Sequence, residues 1–292
     1  MISKQEIIKI RKIPTHIYQL GSTSRSNRSI IIIPGNPGLG GFYIPFAHEL
    51  YNYFNEEICI LVISQAGHSP PIDYCFSLQE QIEHKLAAIE QLLPNNPNHR
   101  LILIGHSIGA YMVLKMLERL ENRLDRAFLL FPTIERMRGS SAGQRFVRFY
   151  PIYIYLLPFL CLLVQFLFPF ESIKRKLINW FFASSPDEDR SILVDTVLYD
   201  LLNPRTVRNL LQMAREEMFV VDKRDDQLIK SFLSKLTFYY GTNDHWVPND
   251  IAKQMINLYP QADITECTNK YLHAFVLKHS KELARFVFHR ID

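Results

Sequence analysis

The stretch at residues 101–114, LILIGHSIGAYMVL, constrains the fold more than any other part of the chain. Four aliphatic residues run straight into Gly105-His106-Ser107-Ile108-Gly109, and an apolar helical pattern follows at once. A buried strand can pass into a helix over so few residues only through a sharp, strained turn, which leaves the serine at its tip. Side chains at 105 and 109 would collide with the neighbouring strand and helix, so glycine stands at both. The spacing therefore predicts a strand, a presented nucleophile and a helix.

The remaining chain supplies the sheet that such a unit needs. Short aliphatic runs at 29–33, 59–64, 101–104, 127–131 and 236–240, with a weaker sixth at 263–267, predict buried parallel strands. Helical spacing at 78–93, 108–120, 250–258 and 281–291 falls between and after them, and partial alternation over 7–19 predicts a hairpin on the sheet edge. Together these describe a layered α/β fold with one long interruption. Residues 133–234, about a hundred without a clear strand, predict a helical cap insertion. The expected blocks are 1–132 and 235–292 as the two parts of the core, with 133–234 between them.

Composition excludes some functions. The 33 Lys and Arg nearly balance 29 Asp and Glu, and a net charge of +4 over 292 residues gives no footprint for nucleic acid. Zinc-ligand spacing is absent, and neither a Walker lysine nor G-x-G-x-x-G accompanies the glycine-rich segment, so no phosphate cradle is expected. The four cysteines are scattered without a paired pattern, as in a reducing compartment. The N-terminal MISKQEIIKIRKIPTH carries charge every few residues, and no secretory signal is expected from it.

A serine hydroxyl needs a base, and the base needs a group to orient it. Where the serine sits on such an elbow, acid and histidine follow it in the chain, each on a loop after a later strand. Asp244 is the first carboxylate beyond the strand LTFYYG, and His273 lies beyond the next strand in KYLHAF. Competitors exist among ten histidines: His245 adjoins Asp244, and His106 adjoins the serine and is expected to face away from it. Asp222 is the alternative acid, although it precedes the strand at 236. Acyl transfer also needs two backbone N–H donors for the developing oxyanion. Ile108, after the nucleophile, is one; in SIIIIPGNPGLGGFY, Asn36 is the other and Gly38 the fallback, since Pro37 has no N–H.

The set PGNPG, ILVISQAGHSP, LILIGHSIGAYM, YYGTNDHWVP and YLHAFVL resembles an α/β-hydrolase, and PGNPG in place of the usual His-Gly loop is similar to the lipid droplet-associated hydrolases. The likeness covers most of 29–132 and 236–292. It implies Ser107 as nucleophile, Asp244 as acid and His273 as base of a cytosolic serine esterase on neutral-lipid surfaces, with no metal or organic cofactor. Pro34, where a histidine often stands, removes a polar group beside the oxyanion hole.

The insertion bears on place and substrate. Residues 149–170, FYPIYIYLLPFLCLLVQFLFPF, carry no charge and a single Gln, enough to span a bilayer at about 20 residues. Pro151, Pro158 and Pro169 are expected to break the run into short pieces, so that it enters one leaflet and returns, or lies in the interface with Phe159 and Phe166 in lipid. Arg136, Arg138, Arg145 and Arg148 precede it and Lys174, Arg175 and Lys176 follow, as at an anionic lipid surface. The expected partners are a lipid ester substrate, a sterol ester or acylglycerol, and a lipid monolayer or membrane, at the droplet surface and the cytosolic face of the endoplasmic reticulum. A non-catalytic lipid-surface protein and an acyltransferase using the same residues are the alternative readings.

Overall fold

A computed structural model describes residues 4–291. The strands are β1 (Lys4–Ile10), β2 (Ile13–Leu20), β3 (Arg28–Ile33), β4 (Cys59–Ile63), β5 (Arg100–His106), β6 (Leu124–Leu130), β7 (Leu236–Gly241) and β8 (Asp263–Cys267). They form one sheet in the order β1-β2-β4-β3-β5-β6-β7-β8. The β1–β2 hairpin is antiparallel and sits at one edge, and β2 runs antiparallel to β4; every later pairing is parallel. The central strands are continuous aliphatic runs because both faces of the sheet are covered. In β3, Ile31 and Ile33 join one core layer while Ile30 and Ile32 join the other, following the two-residue repeat of a strand.

The helices are α1 (Ile44–Tyr53), α2 (Leu78–Leu92), α3 (Ile108–Leu120), α4 (Ser141–Leu167), α5 (Glu171–Phe181), α6 (Asp187–Asp195), α7 (Pro204–Val220), α8 (Asp226–Phe232), α9 (Asn249–Leu258) and α10 (Ser280–Phe288). α2, α3, α8 and α9 cover one face of the sheet, and α1 and α10 the other. Ser77 and Glu80 form a reciprocal cap at the start of α2. α1 has no counterpart among the helical patterns read from the sequence; its markers are Pro45 in the first turn and apolar residues at 44, 47, 50 and 51. Between β6 and β7 the described chain is helical, and α6 continues into a π-type turn at Thr196–Leu201.

The expectation that prolines divide the apolar run is corrected. Pro151 and Pro158 lie inside one 27-residue helix, α4. Each removes a backbone N–H, but the flanking residues keep their helical bonds. Cys161 packs with Val207 and Leu211 of α7, which holds the helix along its length. Only Pro169 acts as a stop: α4 ends at Leu167, and the chain turns through Phe168 and Pro169 into α5. Of the most apolar stretch of α4 only 6% is buried.

Candidate active site

β5 ends at His106 and α3 begins at Ile108, so Ser107 alone makes the turn, with φ +54° and ψ −123°. Such a backbone conformation costs a non-glycine residue about 1–3 kcal/mol and persists only where the surroundings enforce it. Here Ser107 N–H donates to Leu130 O at 3.0 Å, and its carbonyl accepts from Ala110 N–H at 2.9 Å. The glycines permit the close packing: a Cβ at Gly109 would lie 2.2 Å from Ile33 O, and one at Gly105 2.5 Å from Gly109 O.

The elbow points the serine at the residues that chain order selects. His273 Nε2 lies 2.9 Å from Ser107 Oγ, and His273 Nδ1 lies 2.6 Å from Asp244 Oδ2. The Asp244 side chain is fully buried and that of His273 is 17% exposed. Asp244 Oδ1 accepts from Trp246 N–H (2.8 Å) and Val247 N–H (3.1 Å), so the loop after β7 clamps the carboxylate. A carboxylate only accepts, so His273 carries its proton on Nδ1 and presents a lone pair on Nε2 to the serine hydroxyl. His245 is exposed, and its carbonyl accepts from Ala142 N–H. Asp222 lies at the surface, its carbonyl taken by Arg136 N–H.

The glycine-rich loop after β3 runs beside the serine: a Cβ on Gly35 would stand 2.8 Å from Ser107 Cβ. The N–H groups of Asn36 and Ile108 donate to no protein group among the described residues. Gly38 is corrected as a fallback donor. Its N–H turns back to Gly35 O at 2.7 Å, closing a tight turn that its φ of +77° permits.

His106 faces away from the serine and bridges two parts of the site. Its Nε2 lies 2.8 Å from His273 O, and a carbonyl only accepts, so Nε2 carries the proton. Nδ1 then accepts from Tyr43 O–H at 2.6 Å, and the Tyr43 oxygen accepts from Gly35 N–H at 2.8 Å. One buried relay thus ties the glycine-rich loop after β3 to the backbone of His273. Burial, and then the charge His273 can carry, hold His106 well below the usual histidine range, which keeps this neutral tautomer.

Two cavities meet here. The smaller, about 280 Å³, is lined by Ser107, His273, Trp246 and the inner face of α7. The larger, about 540 Å³, is almost wholly apolar and runs between the end of α4, α5 and the turn at Thr196–Leu201. Asn36, Pro37 and Leu201 line both. The Asn36 side chain is held from the insertion: Nδ2 donates to Leu210 O (2.9 Å) and to Glu217 Oε1 (3.1 Å). Glu217 is 3% exposed, and burial pushes its carboxyl up to about 8. Sequence reasoning missed Tyr43 and Glu217. For Glu217 a signal existed, because it falls in the apolar stripe of α7 with Leu210 and Ala214.

Against known proteins, residues 26–276 match the family model described as lipid-droplet associated hydrolase. The chain belongs to the lipid droplet-associated hydrolase family. It is 35% identical to the lipid droplet-associated hydrolase of Mus musculus and 36% identical to that of Homo sapiens, in each case over 94% of this chain and 87% of the relative. With the Drosophila melanogaster member of the family it shares 34% identity over 97% and 96% of the two chains. Among solved structures, a haloalkane dehalogenase from Agrobacterium tumefaciens superposes with a TM-score of 0.69 at 15% identity, covering 99% of this chain and 97% of that one. An esterase from Exiguobacterium antarcticum gives a TM-score of 0.61 at 13% identity, covering 98% of each chain. The fold of this family member is therefore the α/β-hydrolase fold.

Proposed function

We propose that the protein is a serine ester hydrolase of lipid esters, working by acyl transfer at the surface of lipid droplets and the cytosolic face of the endoplasmic reticulum. The observation that carries the chemistry is the unbroken hydrogen-bonded chain from Ser107 Oγ through His273 to the buried Asp244 carboxylate. His273 Nε2 takes the serine proton as Oγ attacks the ester carbonyl, and the imidazolium is stabilised by Asp244. The oxyanion is received by the N–H groups of Asn36 and Ile108. His273 then returns the proton to the departing alcohol, and a water activated by the same nitrogen releases the acid.

The names of the relatives and an uncovered apolar face support the location. Along α4 and α5, Tyr155, Phe166, Trp180 and Phe181 are each more than 70% exposed, and Phe159 is 58% exposed. A soluble chain rarely leaves such a continuous face to water. Exposed Arg145, Arg148 and Lys176 flank it, as for helices lying in a lipid interface. α4 lies along α7, so this face rests on the lipid, with Pro151 and Pro169 near its two ends. The larger cavity is rimmed by Leu177 and Phe181 of that face, a route for an acyl chain leaving the lipid.

The test is labelling of purified protein, supplied with lipid or detergent, by a fluorophosphonate. Labelling of wild type that disappears in Ser107→Ala supports the reading. A folded wild type that does not label would sink it in favour of a lipid-surface protein without turnover.

A further inference from the structure

Each cavity has a distinct chemistry. His273 lines the smaller cavity and is absent from the wall of the larger one. Because His273 must protonate the departing alcohol, the alcohol portion of an ester lies in the smaller cavity, and the long acyl chain has the larger apolar one. Yet the smaller cavity is not uniformly apolar, since Glu217 is the one carboxyl among its described lining residues.

No cation is paired with Glu217 among the described residues, and its Oε1 accepts from Asn36 Nδ2 at 3.1 Å. The second oxygen has no partner there. Asn36 is incomplete in the complementary sense: its Oδ1 is buried and without a hydrogen-bond partner. A buried carboxyl without a countercharge keeps its proton, so the pair lacks one acceptor for the Glu217 O–H and one donor for the Asn36 oxygen. A hydroxyl is the smallest organic group that supplies both.

We propose that Glu217 and Asn36 bind a free hydroxyl on the alcohol portion of the ester, so that the preferred substrates are partially esterified polyols such as monoacylglycerols rather than esters whose alcohol carries no further hydroxyl. This rests on the serine ester hydrolase reading above. A site that pairs with a substrate hydroxyl discriminates against an analogue lacking it, because its buried groups are then left unpaired.

The experiment compares kcat/KM for monooleoylglycerol, methyl oleate and methyl ricinoleate, which carries its hydroxyl on the acyl chain, all in the same detergent micelles. Wild type is expected to favour monooleoylglycerol over both methyl esters. Glu217→Leu is expected to lose about tenfold more on monooleoylglycerol than on methyl oleate, the worth of one hydrogen bond. Glu217→Gln keeps an oxygen for Asn36 and an N–H for the hydroxyl, and should retain the preference. No preference in wild type, a preference for methyl ricinoleate, or an equal loss on all three esters in Glu217→Leu would each overturn the proposal. Fluorophosphonate labelling of the same preparation separates the two readings. If Ser107 labels and the preference is missing, only the hydroxyl site is wrong; if Ser107 does not label, the hydrolase reading falls and this proposal with it.

Discussion

Replacing Asp244 with Asn tests the relay with the least disturbance of the fold. Asp244 Oδ1 already serves two backbone N–H groups, of Trp246 at 2.8 Å and Val247 at 3.1 Å. Only an oxygen can satisfy them, so the asparagine amide is fixed with its NH2 in place of Oδ2, 2.6 Å from His273 Nδ1. Nδ1 must then accept, and the imidazole proton moves to Nε2. At 2.9 Å from Ser107 Oγ, Nε2 becomes a donor and cannot take the serine proton. A triad held in this wrong tautomer loses about 10⁴-fold in kcat, or roughly 5 kcal/mol of transition-state stabilisation. All three hydrogen bonds of the substituted side chain survive, and only the one to His273 reverses its polarity, so Tm should move by no more than about 4 °C. The assay is hydrolysis of a soluble short-chain aryl ester beside a thermal melt. An Asp244→Asn variant within tenfold of the wild-type rate and with an unchanged melt would refute the assignment.

Tyr43→Phe removes the hydroxyl that joins Gly35 N–H to His106 Nδ1 and leaves both without a partner inside the protein. Stability should fall by about 1–3 kcal/mol, roughly 2–10 °C in Tm for a chain of this size, and an unchanged melt would count against the relay. Phe159→Asp with Phe166→Asp places charge on side chains 58% and 81% exposed, so Tm should hold while flotation with phospholipid-coated droplets is lost. Persistent flotation would mean that this face is not the lipid contact. Glu217 titrates near 8 when folded, against an ordinary value of 4.5. Its contribution to stability is therefore fully present below about pH 4.5 and is lost as pH rises towards 8, so the Tm of Glu217→Gln relative to wild type should climb across that window. A constant difference between the two melts would show that the carboxyl is not held neutral.

The elbow was legible because its constraints are local. Strand, turn and helix each leave a mark within the stretch 101–114, and both glycines answer to contacts made by the turn itself. The direction of β3 to β7 was legible for a related reason: strands covered on both faces read as nearly unbroken apolar runs, whereas β8, a half-buried edge strand reading DITEC, left the weaker mark. Asp244 and His273 followed from chain order alone. α1 was hidden by the glycine-rich loop before it, whose residues obscure the helical period. Pro151 and Pro158 misled because propensity counts what a proline removes, whereas packing against α7 decides whether the helix survives.

The amino-acid sequence by itself thus determined the fold class, the serine, carboxylate and histidine that the fold brings together, and the presence of a long uncharged segment, since each depends on residues adjacent in the chain or on the order of strands. Tertiary structure alone decided the rest. Gly38 lost its donor role to a turn closed by Gly35. His106 became a bridge only when Tyr43 and the backbone of His273 arrived at its two nitrogens. Glu217 reached the cavity beside Ser107 and His273 only because α7 folds back over Asn36, 181 residues earlier in the chain. Burial, hydrogen-bond partners and cavity walls depend on distances between segments remote in sequence, and no local pattern of residues encodes those distances.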